Sequence, residues 1–259
     1  MGRLSGKIAV VTGIGAGIGK GIALLFMQEG AAVFGCDIDS AAAEATIAEA
    51  TAAGRADSLA SLHPCDLTKP DDVTRLIGAA VARFGRIDIL VNAAAIAPHM
   101  ATAAAMDFEE QWRPTLAGEV DLVFLACKAA WPHLVASGAG SIINFASVNA
   151  YRGSRSFGMV AHCAGKAAVL GMTRQLAVEG GAANIRANTI SPGLVQTAAT
   201  AKAGATDDGS VRAAILDRLL IKRLGRPEDI AWCAVYLASD EASWVTGVDF
   251  PINGGVLAV

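Results

Sequence analysis

The sequence carries Thr12-Gly13-Ile14-Gly15-Ala16-Gly17-Ile18-Gly19 between the apolar run Ile8–Thr12 and a segment of helical period. Glycines at a strand-to-helix turn let the backbone approach a pyrophosphate, and free N–H groups at a helix N-terminus favour negative charge there. A tight turn needs glycine even without a ligand, so this pattern alone is weak. Asp37 strengthens it, because it ends the next apolar run about twenty residues on, where a carboxylate can accept both ribose hydroxyls of a dinucleotide.

Apolar runs of strand length alternate with longer stretches of helical period along the chain. The predicted strands are Ile8–Thr12, Ala32–Cys36, Ile87–Val91, Ser141–Phe145, Ile185–Ile190 and Val248–Ile252, with a weaker one at Leu59–Pro64. Helices are predicted to begin near Gly17, Ser40, Pro70, Asp107, Ser156 and Pro227. This alternation predicts an α/β fold of the Rossmann type, a doubly wound parallel sheet in a single domain over residues 1–259.

The stretch 198–216 is an irregular one. It follows a predicted strand and the pair Pro192-Gly193, and it contains Gly204, Asp207, Asp208 and Gly209. Loops of this length in a compact domain are often functional, so we expect a substrate loop or lid here.

The composition limits the partners that the protein can have. Hydrophobic residues make up 53% and charged residues 17%, so we expect helices that are apolar on more than one side and a homo-oligomer. A net charge of −3 without a basic run argues against nucleic acid. The first residues lack the apolar core of a signal peptide, and the five cysteines lack metal-ligand spacing. We expect a cytoplasmic protein without a metal or a membrane partner.

The glycine spacing resembles that of the short-chain dehydrogenase/reductase family, and similar motifs run through nearly the whole chain. Cys65-Asp66-Leu67 resembles the family's adenine-contacting turn, and Val91-Asn92-Ala93-Ala94-Ala95 is similar to its Asn-Asn-Ala-Gly segment, with the glycine replaced. The stretch Pro192–Thr197 resembles the element that holds the nicotinamide carboxamide. The resemblance implies a cofactor site formed by Gly13, Ala16, Gly17, Ile18, Gly19, Asp37, Ile38, Asp66, Leu67, Asn92, Ala93, Ala94, Lys166, Pro192, Gly193, Val195 and Thr197.

The expected cofactor is NAD. A carboxylate at Asp37 attracts the ribose hydroxyls and repels a 2′-phosphate. In the family, basic residues near the glycine loop or after the second strand mark NADP, and neither Ala16 nor Ile38 is basic. The family resemblance also implies assembly as a homotetramer.

The same resemblance marks a reaction centre with two unusual residue types. The family uses a serine, a tyrosine four residues before a lysine, and an asparagine on the preceding long helix. Ser147 and Lys166 match the serine and the lysine, whereas His162 stands at the tyrosine position and Glu119 at the asparagine position. Tyr151 is a nearby tyrosine, but it lies outside this helix register, so we expect a substrate-loop or packing role for it.

An imidazole exchanges protons near neutral pH without the help that a lysine gives to a tyrosine. The cation of Lys166 disfavours a charged His162, and the carboxylate of Glu119 could restore the balance. We therefore predict an NAD-dependent oxidoreductase that interconverts a secondary alcohol and a ketone, both small molecules. Other interpretations stay open: an impaired enzyme, an NAD-binding protein without catalysis, and a hydrolase or lyase with a triad of Ser147, His162 and Glu119. A pocket more apolar than charged is suggested by Met100, Trp112, Phe157 and Met159.

Overall fold

A parallel sheet runs through the computed structural model, which describes residues 2–154, 157–202 and 209–259. Its strands are β1 (Ile8–Thr12), β2 (Ala32–Cys36), β3 (Leu59–Leu62), β4 (Ile89–Asn92), β5 (Ser141–Phe145), β6 (Arg186–Ile190) and β7 (Asp249–Phe250). They lie in the order β3-β2-β1-β4-β5-β6-β7, and every neighbouring pair is parallel. The order reverses between β1 and β4, and doubly wound sheets bind their ligands at such a point.

Helices cover both faces of this sheet. They are α1 (Gly17–Gln28), α2 (Ser40–Ala52), α3 (Pro70–Phe84), α4 (Phe108–Ser137), α5 (Val160–Gly180), α6 (Ala198–Lys202), α7 (Gly209–Asp217) and α8 (Pro227–Ala238). One apolar core joins α1 and α8 to the sheet through residues such as Phe26 and Val235. A second core joins α3 and α4 to the opposite face through Leu76 and Leu134. The predicted fold class, a single α/β domain of the Rossmann type, is confirmed.

The differences from the predicted elements lie at element ends. β4 begins at Ile89 rather than Ile87, because the side chain of Asp88 accepts the Ile8 N–H at 2.8 Å where a strand would offer a carbonyl. β7 ends at Phe250, since Pro251 has no N–H for the ladder. α5 begins at Val160 rather than near Ser156, which lies outside the described residues.

The helix α4 is wound unevenly. Phe108–Trp112 and Ala117–Asp121 are π-helical, with wider turns than the flanking α-helical segments. α4 is also long and apolar enough to cross a membrane, with a mean hydropathy of 1.3 over 18 residues. It nevertheless packs on β4, β5 and α3, as a helix that covers a sheet does.

The predicted substrate loop is described in part. Residues 198–202 and 209–216 belong to the short helices α6 and α7, and residues 203–208 lie outside the described residues. The role of this segment as a lid stays a prediction.

Candidate active site

A cavity of about 350 Å³ opens at the carboxyl ends of β1, β2 and β4, beside the point where the strand order reverses. Most of the predicted cofactor residues line it, namely Gly13, Ala16, Gly17, Ile18, Gly19, Asp37, Ile38, Asp66, Leu67, Ala93, Ala94 and Thr197. It is also lined by residues that were not among the predicted cofactor residues: Cys36, Cys65, Thr68, Ala95, Ile96 and Leu122. Most of the lining comes from strand ends, from the loops after them and from the start of α1, which the parallel sheet brings to one edge, and Leu122 comes from α4.

The glycine loop is shaped by close backbone contacts. Gly13 and Gly17 have φ angles of 74° and 58°, which favour glycine. A Cβ on Gly13 would lie 2.9 Å from the Cα of Ala94, and a Cβ on Gly19 would overlap the carbonyl oxygen of Gly13. Ala16 gives α1 no side-chain cap, so the first N–H groups of the helix are available to a ligand. These features fit the pyrophosphate of a dinucleotide.

Two carboxylates line the cavity. Asp37 accepts the Gly15 N–H at 2.7 Å and the Asp39 N–H at 2.9 Å, which fixes its orientation toward the glycine loop. Asp66 accepts the Thr68 hydroxyl at 2.7 Å, and this hydrogen bond lowers the pKa of Asp66. Among the residues that the structure describes, no lysine or arginine lines the cavity. The lining therefore fits a free ribose better than a 2′-phosphate.

The other predicted cofactor residues, Asn92, Lys166, Pro192, Gly193 and Val195, lie outside this lining. The amide of Asn92 is buried and donates to Asn144 Oδ1 at 2.8 Å, so it ties β4 to β5 behind the cavity. Thr197, at the end of the Pro192–Thr197 stretch, turns back to the glycine loop. Its methyl group lies 3.2 Å from where a Cβ on Gly17 would stand.

His162 and Glu119 form a hydrogen-bonded pair. His162 Nδ1 lies 2.5 Å from Glu119 Oε1, and their side chains are 13% and 1% exposed. Glu119 belongs to the π-helical turn Ala117–Asp121 of α4, and His162 to the first turn of α5. With an ionised Glu119 and a neutral imidazole, Nδ1 would donate this hydrogen bond and Nε2 would be left as an acceptor.

Gly165 makes room for this pair. A Cβ at this position would lie 2.6 Å from Glu119 Oε2, an oxygen that is buried without a hydrogen-bond partner among the described residues. Motif reasoning missed Gly165, although an isolated glycine in a helical pattern often has a packing reason. The adjacent Lys166 is buried and donates to Phe145 O at 3.3 Å. Burial lowers the pKa of Lys166, and the charge of Glu119 opposes that shift.

Ser147 stands at the end of β5, where the chain leaves the sheet. Its Oγ accepts the Asn149 N–H at 3.2 Å. Within the described residues it has no hydrogen bond to His162, so a Ser–His–Glu triad is not assembled. This arrangement leaves the Ser147 hydroxyl proton available for a substrate oxygen.

Two other side chains that could exchange a proton or act as a nucleophile, Tyr151 and Cys163, have raised pKa values. The Tyr151 hydroxyl donates to Asp249 Oδ2 at 2.8 Å, and burial together with this bond raises the pKa of Tyr151 to about 12. Tyr151 is therefore unsuited to exchange a proton near neutral pH in place of His162. Burial also raises the pKa of the Cys163 thiol, so this cysteine is a poor nucleophile.

Known proteins resemble this chain over nearly its whole length. A family model described as enoyl-(acyl carrier protein) reductase matches residues 13–257. The 2-(S)-hydroxypropyl-CoM dehydrogenase 3 of Xanthobacter autotrophicus is 36% identical over 263 residues, covering 99% of each chain. The D-threitol dehydrogenase of Mycolicibacterium smegmatis is 37% identical, covering 98% of this chain and 94% of that one. A solved short-chain type dehydrogenase/reductase from Mycobacterium marinum has a TM-score of 0.91 at 32% identity, covering 99% and 97%. This chain belongs to the short-chain dehydrogenase/reductase family.

The family resemblance drawn from the motifs is thus confirmed. The relatives are named as dehydrogenases and reductases, so the chain is a member of an oxidoreductase family, and family members typically use NAD or NADP. The substrates in those names differ widely, from D-threitol to a coenzyme M conjugate and an acyl carrier protein thioester. Family membership alone therefore does not indicate the substrate of this short-chain dehydrogenase/reductase.

Proposed function

We propose that this protein is an NAD-dependent dehydrogenase/reductase that interconverts a secondary alcohol and a ketone. In this proposal His162 stands where the family has its tyrosine, and Glu119 stands where it has its asparagine. The observation that carries the proposal is the 2.5 Å hydrogen bond between these two side chains. Gly165 leaves space for the buried carboxylate, so the residue types at positions 119, 162 and 165 are mutually compatible. Such agreement is expected of a working site rather than of an eroded one.

The chemistry follows from the proton positions in the pair. NAD, when bound, supplies the hydride acceptor. In alcohol oxidation, His162 Nε2 takes the hydroxyl proton, and in ketone reduction it returns that proton to the oxygen. The carboxylate of Glu119 stabilises the imidazolium that forms and fixes the orientation of the ring. The Ser147 hydroxyl donates a hydrogen bond to the same substrate oxygen.

The reaction is tested by an NAD-coupled screen of secondary alcohols and ketones with two variants of His162. His162→Ala should lower turnover by about 10² to 10⁴, the usual contribution of a general acid–base group, with little change in the Kd of NADH. His133→Ala, which alters a histidine of α4 outside the pair, is the matched control. His162→Tyr restores the family's residue and should not exceed the activity of the wild type.

The outcomes separate the alternatives. A higher turnover in His162→Tyr than in the wild type would mean that the natural site is impaired. Stoichiometric NADH binding without turnover of any alcohol would mean a silent NAD-binding protein. Ester hydrolysis without NAD would favour the Ser147–His162–Glu119 triad. An unchanged rate in both His162 variants would exclude this histidine from the reaction.

The preference for NAD gives a further prediction. NADH should bind more tightly than NADPH, because Asp37 lines the cavity and, within the described residues, no basic side chain does. Asp37→Ala should lower the ratio of the Kd of NADPH to the Kd of NADH by about 10- to 100-fold, the range expected for charge-assisted hydrogen bonds. Calorimetric titration of both cofactors measures it, with Asp71→Ala on the exposed surface of α3 as control. An equal affinity for both cofactors in the wild type would refute the assignment.

We also propose that the enzyme works in the cytoplasm as a homotetramer, on small molecules and without nucleic acid or membrane partners. Free thiols at Cys36, Cys65, Cys127, Cys163 and Cys233 support a reducing compartment. Exposed apolar side chains on several helices support an assembly of subunits.

A further inference from the structure

Two arginines line a cavity near the first turn of α5. The cavity measures about 410 Å³ and is lined by Arg152, Gly153, Arg218, Val256 and Val259. Gly153 also lines an adjacent cavity of similar size, whose other walls include Phe157, Met159 and Cys163. Cys163 lines this second cavity and lies in the first turn of α5, and its Sγ is 4.0 Å from the carbonyl oxygen of Arg152. The two cavities therefore lie next to the helical turn that carries His162, although His162 lines neither of them.

The described part of the chain does not satisfy these guanidinium groups. Arg152 donates one N–H to Val256 O at 3.2 Å, but its Nε is buried without a hydrogen-bond partner among the described residues. Arg218 directly follows α7 and is exposed, so the burial cost falls on Arg152 alone, and its side chain takes part in neither a hydrogen bond nor an ion pair with the described residues. A buried N–H of a charged group without a partner is costly, and two cations at one cavity repel each other.

An oxyanion in the cavity would relieve both costs. The planar guanidinium fork matches the two oxygens of a carboxylate, and such charge-assisted pairs are stronger than neutral hydrogen bonds. We propose that this cavity binds the anionic end group of the substrate, so that the substrate is a hydroxy or oxo carboxylic acid. This inference rests on the proposed dehydrogenase function.

The adjacent cavity limits the rest of the substrate. Phe157 and Met159 give its wall an apolar character, and a hydrocarbon spacer fits such a wall better than a polyol does. The reacting carbon and the carboxylate would then lie at opposite ends of an apolar chain. The pocket expected to be apolar from the sequence would thus be apolar in its middle and cationic at its far end.

The first experiment compares secondary hydroxy acids of graded chain length with their uncharged primary amides. For the best chain length, kcat/KM for the acid should exceed that for the amide by about 10- to 100-fold. Arg218→Ala should bring this ratio close to one. Arg212→Ala, an exposed arginine of α7 outside the cavity, should leave the ratio as in the wild type. Arg152→Met is the second test, and if it fails to fold, Arg218→Ala decides alone.

The second experiment measures binding without turnover. Hexanoate is titrated calorimetrically into the NADH complex of the wild type, of Arg218→Ala and of Arg212→Ala, and phosphate is titrated in parallel. Hexanoate should bind the wild type and the Arg212 variant and bind the Arg218 variant at least tenfold more weakly. Tighter binding of phosphate than of hexanoate, lost in Arg218→Ala, would refute the carboxylic acid as the substrate class and assign a phosphate end group to the site.

The two experiments distinguish the failure of this inference from that of the proposed function. If hexanoate binds through Arg218 while no alcohol or ketone is turned over, the anion site stands and the dehydrogenase proposal falls. If acid and amide are turned over equally and hexanoate does not bind, the anion site is refuted and the dehydrogenase proposal stands. A change of oligomeric state in Arg218→Ala, without loss of hexanoate binding, would assign the arginine to a subunit contact and refute the inference.

Discussion

The residues at positions 119, 162 and 165 depend on one another. Glu119 orients His162 through a 2.5 Å hydrogen bond, and its second oxygen occupies the space where a side chain at position 165 would stand. A larger residue at 165 would displace the carboxylate, and the loss of the carboxylate would leave the imidazole without its acceptor. Sequence motifs identified the histidine and the glutamate one at a time. Their contact, and the glycine that permits it, became visible only when two helices were brought together.

This dependence gives a prediction for Gly165→Ala. The new Cβ would lie 2.6 Å from Glu119 Oε2 in a buried site, so the substitution should lower the free energy of unfolding by about 1–3 kcal/mol. Turnover should fall as well, because the carboxylate would move away from His162. Urea unfolding and NAD-coupled rates measure the two effects.

A second background and a matched site control this prediction. In Glu119→Ala the clash is absent, so adding Gly165→Ala should cost little stability, and the two substitutions should be strongly non-additive. Gly171→Ala lies on the same helix, and its new Cβ would have no atom of the described part of the chain within 4 Å, so it should not reduce stability. Equal losses from Gly165→Ala in both backgrounds would show that the glutamate is not the reason for the glycine.

At the scale of elements, the apolar periods predicted the sheet and its covering helices well. The prediction from hydrophobic periodicity succeeds because a strand such as β5 is buried along its whole length, and buried strands consist largely of apolar residues. The π-helical turn Ala117–Asp121 had no such signal, because a wider turn changes the register of a helix without changing its composition. This turn contains Glu119 and places its carboxylate within hydrogen-bond distance of His162. The position of the hydrogen-bonded pair of His162 and Glu119 was therefore predictable only through the family resemblance.

Two glycines in different helices give a prediction about elements. Gly78 is an exposed residue in the interior of α3, and a Cβ there would meet no atom of the described residues within 4 Å. Gly78→Ala should therefore raise the free energy of unfolding by about 0.5–1 kcal/mol, because alanine loses less backbone entropy on folding.

Gly19→Ala in α1 should lower the free energy of unfolding and weaken NADH binding, since its Cβ would overlap the carbonyl oxygen of Gly13. Chemical unfolding and NADH titration measure both, and a stabilising Gly19→Ala would contradict the packing described for the glycine loop.

At the scale of the whole molecule, α4 has a buried inner face and an exposed outer face that both carry apolar side chains. Its inner face, with Leu122, Ala126 and Leu134, is buried against the sheet and α3. Its outer face carries Phe124 and Val135, which are 51% and 43% exposed in the single chain. Exposed apolar side chains on an outer face are unfavourable in water, and a patch of them in a soluble protein often marks a subunit contact. They also contribute to the high mean hydropathy of α4.

The final prediction concerns this outer face. If α4 forms a subunit contact, light scattering should give a molar mass of about four times that of the 26.3 kDa chain. This mass corresponds to the homotetramer that the family resemblance implies. Phe124→Asp should lower that mass to a dimer or a monomer, because a buried, unpaired carboxylate opposes association. Thr74→Asp, on the exposed surface of α3, should leave the mass unchanged. A wild-type monomer at micromolar concentration would refute the tetramer. An unaltered tetramer in Phe124→Asp would show that the subunit contact does not involve the outer face of α4.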